Sequence, residues 1–211
     1  SPSILSRIEP EEVRYFRMDR SARCSSIREL TLPEDDVEAS VYVRLAVKAY
    51  PELYFARFVI LGEGDSERVV IPKIAEEMGV SLDPSFVPVV PLGGRFVAHF
   101  WRLLNDLEIP HATLLDLDLG RRHGGANAMR SCLQNLAAIG SNLGSTNGAN
   151  AAQLTDQQLY NEGLQGQWLQ AFRREGVFFS YPIDLDFAML LAFPTAYQVA
   201  NPGGNGPQSS A

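Results

Sequence analysis

Two apolar runs that each break off into acidic residues constrain this chain more than any other feature. Phe58-Val59-Ile60-Leu61 leads into Gly62-Glu63-Gly64-Asp65-Ser66-Glu67, and further along Ala112-Thr113-Leu114-Leu115 leads into Asp116-Leu117-Asp118. Short runs rich in Val, Ile, Leu and Phe, bounded by Gly, Pro and Asp, read as buried strands. Four segments fit: Ala56–Leu61, Phe86–Val90, Ala112–Leu117 and Val177–Tyr181. Between them, Glu67–Met78, Phe96–Leu107 and a longer region from Ala126 to about Arg174 carry helical patterning. In the second of these, Phe96, Phe100, Leu103, Leu104 and Leu107 fall on one stripe. Strand–helix alternation of this kind predicts an α/β fold with a mostly parallel sheet flanked by helices on both faces.

Carboxylates released at strand ends fall in the crevice where open α/β sheets bind ligands. Two carboxylates about 5 Å apart repel by roughly 3 kcal/mol at an effective dielectric of about 20. A pocket containing Glu63, Glu67, Asp116 and Asp118 therefore calls for a cation, and oxygen-only ligands favour Mg²⁺ or Mn²⁺. On a strand, Asp116 and Asp118 would share one face and Leu115 and Leu117 the other. Gly62 and Gly64 would let the chain turn sharply around Glu63, with Asp65 or Ser66 as the N-cap of the next helix. Asp184-Leu185-Asp186, after the fourth strand, could complete a metal site.

Each acid also has a plain structural reading. Glu67 would suit the positive end of a helix dipole, and one of Asp184 and Asp186 would suit an N-cap. Glu63, between two glycines at a strand end, has no evident packing role. The basic residues nearby are Arg95, Arg121 and Arg122, with His123; any of these could hold a phosphate, or could lie in a solvated loop. His99 and His111 lack partner spacing and read as structural. No nucleophile-elbow context surrounds the serines or cysteines.

The rest of the chain sets bounds. Its 211 residues are enough for one sizeable core. No apolar run reaches the roughly 18 residues of a membrane span, and no signal peptide opens the chain. Cys24 and Cys132 stand far apart, which fits a reducing cytoplasm. A net charge of −7 argues against a simple nucleic-acid clamp. Residues 1–52 are rich in charge, with a short strand candidate at Arg28–Leu32, a turn or helix start at Pro33–Asp36 and a helix through Tyr42, Leu45 and Ala49. They read as the tail of a preceding domain plus a linker, and an initial Ser in place of Met agrees with a fragment of a longer polypeptide. Pro72 should kink the first helix or delay its start. Residues 140–150 read as a surface loop and 195–211 as a flexible tail.

Gly62-Glu63-Gly64 after a strand, a further acid at Glu67, and Asp116-Leu117-Asp118 after a later strand resemble the TOPRIM domain. The likeness is closest to the overcoming-lysogenization-defect (OLD) family of nucleases. It runs from Leu53-Tyr54-Phe55-Ala56 through Gly62–Glu67 and Pro91-Leu92-Gly93-Gly94 to Leu114–Asp118, and more weakly over about 1–193. The resemblance implies a TOPRIM nuclease domain at 53–194, covalently linked to a preceding ABC-type ATPase whose tail is 1–52. ATP would act only in that other domain, since no Gly-x-x-x-x-Gly-Lys run occurs here. It implies metal-dependent endonucleolytic cleavage or nicking of DNA with two Mg²⁺ or Mn²⁺ ions. Glu63, Glu67, Asp116 and Asp118 would be catalytic metal ligands, Glu63 also taking part in proton transfer, and Asp186 and Asp184 would support the second ion. DNA and the ATPase domain are the implied partners, a homodimer is left open, and no membrane is involved.

Two departures stand out. The family's catalytic lysine belongs to a helical segment beyond the TOPRIM core, yet no lysine follows Arg174. Gly62 stands where relatives often have Val, which reads as neutral. Two other readings fit the same residues. One is an Asp-x-Asp phosphatase of the haloacid-dehalogenase type, with Asp116 as nucleophile; the other is a non-catalytic TOPRIM-like module that binds DNA or a partner.

Overall fold

The computed structural model describes residues 2–19, 21–30, 32, 37–93, 97–141, 143, 155–156 and 167–197. In chain order these form helix α1 (Pro2–Leu5), strands β1 (Arg14–Asp19) and β2 (Cys24–Glu29), α2 (Val37–Ala49), β3 (Val59–Gly62), α3 (Asp65–Glu77), β4 (Val89–Pro91), α4 (Val97–Asp106), β5 (His111–Asp116), α5 (Ala126–Ala138), α6 (Gln167–Arg174), β6 (Val177–Ser180), α7 (Leu185–Ala192) and α8 (Pro194–Tyr197). Strands β3 to β6 make one four-stranded parallel sheet in the order β4-β3-β5-β6, flanked by helices, so the α/β expectation holds. Each of the four strand candidates becomes a strand within a few residues of its predicted limits.

The chain divides into two compact units. One comprises Ser1–Leu61 with Val70–Ala112, the other Gly62–Val69 with Thr113–Ala211. In the first, β3 is tied in by Arg57 N–H to Phe86 O at 2.9 Å, Ile60 N–H to Pro88 O at 3.0 Å and Val59 N–H to Pro110 O at 2.9 Å. Val59 and Leu61 are fully buried there, as expected of a central parallel strand covered on both faces. Helix α4 buries Val97, Phe100, Trp101, Leu103 and Leu104. Full burial of side chains such as Phe100 or Leu104 stabilises by about 1.5–3 kcal/mol each, against the unfolded chain. Phe96, the first residue of the predicted stripe, lies outside the described residues.

Residues 1–52 contain more regular structure than their charge suggests. Strands β1 and β2 form an antiparallel hairpin in which Arg14 faces Glu29 and Phe16 faces Ile27. The strand expected at Arg28–Leu32 overlaps β2 only at Arg28 and Glu29; β2 itself runs from Cys24 to Glu29. An ion pair of 2.9 Å joins Arg14 and Glu29 across the hairpin. The helix through Leu45 is α2, whose Arg44 and Lys48 reach Glu9 at 3.0 and 2.6 Å. Residues 33–36 lie outside the described residues.

The second unit is built on the β5–β6 pair, whose parallel register sets Thr113 beside Val177 and Asp116 beside Ser180. Helix α5 buries Ala126, Met129, Cys132, Leu133 and Leu136, a single helical face. Trp168 and Phe172 of α6 lie one turn apart and are buried, with the Phe172 ring edge-on to Phe179 of β6 at 5.3 Å. Among the described residues, the long helical region shows α5 and α6; most of the predicted loop at 140–150 lies outside them, and the predicted tail at 195–211 opens in α8 and lies outside them from 198. Helix α3 starts at Asp65 and runs through Pro72, so the proline does not delay it. Both cysteines are free, Cys24 exposed and Cys132 buried. Among the described residues, no helix is long and apolar enough to cross a membrane.

Candidate metal centre

All six predicted carboxylates belong to the second unit. Glu63 follows directly on β3, and its Oε2 accepts a hydrogen bond of 2.8 Å from the Asp116 backbone N–H. The last residue of β5 is thereby held by the acid between the two glycines, although 53 positions (116 minus 63) separate them. Burial pushes the Glu63 carboxyl above its ordinary range; the Asp116 N–H opposes this, and the charges of Asp118 and Glu67 reinforce it.

Asp116 shows the larger effect. Burial first, then the charges of Glu63, Glu67 and Asp184, raise its carboxyl to about 7, against the pull of a hydrogen bond from Ser180. The Ser180 Oγ donates to Asp116 Oδ1 at 2.8 Å, a contact fixed by the register of β5 on β6. Three further acids therefore act on Asp116, which describes a site short of positive charge.

Glu67 is only 3% exposed. Its Oε2 accepts from the Gly64 N–H at 2.8 Å, satisfying one of the donors left open at the start of α3. A buried carboxylate in a first turn has a capping role, and its charge also bears on Glu63 and Asp116. Gly62 makes this possible. A Cβ there would stand 2.3 Å from the Glu67 Cβ and 2.7 Å from its Cγ, so any side chain at 62 displaces Glu67. The apparent neutrality of Gly62 is thus a sequence-level impression that the packing overturns. Neither Gly62 nor Gly64 has positive φ, so the turn around Glu63 uses close approach rather than a left-handed backbone.

Asp118 departs from the same-face expectation, because β5 ends at Asp116. Leu117 is buried, and Asp118 takes the left-handed conformation with φ of 51°. Its N–H donates to Ile183 O at 2.7 Å, and the loop closes through Arg121 N–H to Asp118 O at 2.9 Å and Gly125 N–H to Leu117 O at 2.6 Å. A Cβ on Gly124 would fall 1.8 Å from the Asp118 carbonyl oxygen, so this glycine is obligatory.

Asp184 and Asp186 divide their tasks. Asp184 is the N-cap of α7, its Oδ1 accepting from Phe187 N–H at 2.7 Å. Its Oδ2 accepts from Arg121 Nη2 at 3.0 Å, while Arg121 Nη1 reaches Asp118 Oδ1 at 2.6 Å. Asp186 accepts from Ser66 Oγ at 2.9 Å and from Tyr197 Oη at 2.5 Å. Arg122 is exposed, and Arg95 lies outside the described residues. Among the described residues, no three His, Cys, Asp or Glu side chains converge closely enough to ligate an ion. The donor set is nonetheless of the right kind for a hard cation, all carboxylate oxygen, with Glu63 and Asp116 driven toward their protonated forms by burial and by the charges of neighbouring acids.

Ser180, Tyr197 and Gly124 were not singled out by sequence reasoning. Only Ser180 left a usable signal, a polar residue closing an apolar strand whose neighbour closes on Asp116.

The profile of the family described as overcoming lysogenization defect protein-like, TOPRIM domain, matches residues 54–118, the segment from before β3 to the acid after β5. Residues 54–118 thus match an OLD-like TOPRIM domain. Over 77 residues it is 32% identical to endonuclease GajA of Bacillus cereus (strain VD045), a stretch covering 36% of this chain and 13% of that protein. The C-terminal region of the OLD protein of Xanthomonas campestris pv. campestris is similar at 24% identity and a TM-score of 0.46, over 65% of this chain and 56% of that one. For the C-terminal region of the Burkholderia pseudomallei OLD protein the values are 26%, 0.47, 65% and 62%. The chain thus spans a small part of GajA and little more than half of the OLD fragments it matches.

Proposed function

We propose that this OLD-like TOPRIM domain is the nuclease part of an ATPase–nuclease and hydrolyses DNA phosphodiesters, as an endonuclease or nickase, with two divalent cations, Mg²⁺ or Mn²⁺. The observation that carries the proposal is the junction of Glu63 with the Asp116 backbone, inside the segment that matches the family. It gives the Gly-Glu-Gly turn a role at the Asp-x-Asp strand end, which a phosphatase using Asp116 as nucleophile would leave without one. GajA, an endonuclease by name, lends further support.

In this reading Glu63, Glu67, Asp116 and Asp118 hold the cations, with Asp184 and Asp186 beside them. Bound cations would supply Lewis-acid polarisation of the phosphodiester and a more acidic water. The chain's own contribution is positional: Glu63 and Asp116 are oriented by the β3 and β5 ends, and Ser180 donates to Asp116 Oδ1 and holds that carboxylate in place. Ser66 and Tyr197 hold Asp186. Residues 1–52 belong, in the same proposal, to the end of the ATPase domain and a linker, 53–194 to the TOPRIM domain and 195–211 to a C-terminal tail whose start is tied to the site through Tyr197. Arg95, Arg121 and Arg122 are the candidate phosphate contacts.

Nicking of supercoiled plasmid in Mg²⁺ or Mn²⁺ tests this. Glu63→Gln and Asp116→Asn should each lower the rate at least a hundredfold with the fold intact by circular dichroism. Equal metal-dependent nicking by wild type and both variants would contradict the proposal.

A further inference from the structure

Arg121 joins two of the proposed ligands from distant parts of the second unit. One guanidinium nitrogen lies 2.6 Å from Asp118 Oδ1 and the other 3.0 Å from Asp184 Oδ2. Neither acid needs the arginine for its local role. Asp118 is placed by its backbone N–H on Ile183 O, and Asp184 caps α7 with its other oxygen, Oδ1. The side chain of Arg121 is 58% exposed, against 31% for Asp118 and 19% for Asp184, so its head can return to water while the acids stay in the site. Its backbone is held separately, by Arg121 N–H on Asp118 O and Gly124 N–H on Arg121 O at 2.9 and 3.1 Å. The head group can therefore leave without unmaking the loop.

We infer that Arg121 is a built-in counter-cation of the acid cluster, bridging Asp118 and Asp184 in the metal-free protein and competing with a divalent ion for them. The inference rests on the reading of these acids as metal ligands. Competition follows from charge: an ion with two positive charges and the guanidinium seek the same oxygens, and each repels the other at short range. Part of the negative charge of the cluster is met by this arginine, which draws the Asp118 and Asp184 carboxylates onto one guanidinium.

Titration with Mn²⁺, followed by the paramagnetic resonance signal of the free ion, measures this without any turnover. Two partly exposed ion pairs oppose the ion, each of modest strength, so Arg121→Gln should bind Mn²⁺ about three- to tenfold more tightly than wild type. Arg121→Lys keeps a cation but cannot span two carboxylates; it should fall between the two, and it carries the test if the Gln variant does not fold. Equal or weaker binding by these variants, with Glu63→Gln losing the ion, overturns the competitor role and leaves the metal reading standing. Absence of Mn²⁺ binding in wild type and every Arg121 variant overturns both.

Discussion

At Asp116 the chain places a carboxyl where burial and three neighbouring acids all oppose ionisation. A folded-state value of about 7, against an ordinary 3.8, makes the native protein the stronger proton binder. The stabilisation linked to that proton is complete below the unfolded value and is lost as pH rises through the folded one. In EDTA, wild type should therefore lose stability between about pH 4 and pH 7 relative to Asp116→Asn. At pH 8 the variant should be more stable by about 1–2 kcal/mol, after allowance for screening of a half-exposed group. Urea unfolding at pH 4, 6 and 8 measures the difference, and saturating Mn²⁺ should reverse its sign by binding only the wild-type native state tightly. A difference independent of pH would contradict the electrostatic account of Asp116. At this scale the sequence spoke clearly for Glu63 and Asp116 as acids at strand ends. It was silent on Gly124 and took Gly62 as neutral, because the need for both comes from what packs against them, the Asp118 carbonyl and Glu67.

At the scale of elements, the four strands were legible because buried parallel strands are unbroken apolar runs, and β3, β4, β5 and β6 all arise from such runs. The β1–β2 hairpin was half hidden. Its residues alternate exposed and half-buried, with charges at Arg14, Arg17, Arg28 and Glu29, so little apolar signal marks it. Asp118 was misplaced for a different reason: period-2 reasoning extends a strand through Leu117 and Asp118, whereas the hydrogen bond to Ile183 and a left-handed residue end it. Helix α7 offers a clean separation of roles. Asp184→Ala removes both its N-cap and an Arg121 partner, and should cost about 1 kcal/mol of stability. Asp184→Asn keeps the cap oxygen while shedding the charge, and should cost less than half as much. Thermal or urea unfolding in EDTA compares them; equal losses would mean that the charge, not the cap, holds α7.

For the whole molecule, the parallel β4-β3-β5-β6 sheet is the framework, and the acids of the second unit are what it carries at its strand ends. Parallel pairing sends β5 and β6 out on the same side, which is why Asp116 meets Ser180 and why the loops bearing Asp118 and Asp184 meet through Arg121. The central claim is that Glu63 and Asp116 bind a divalent ion once their protein partners yield. A crystal of this chain soaked in Mn²⁺, with diffraction collected at the manganese edge, tests it most directly. The account predicts an anomalous peak about 2.0–2.3 Å from carboxylate oxygens of both Glu63 and Asp116, with Arg121 withdrawn from Asp118. A soaked crystal with manganese bound elsewhere, no peak at these two acids, and Arg121 still bridging Asp118 and Asp184 would contradict it.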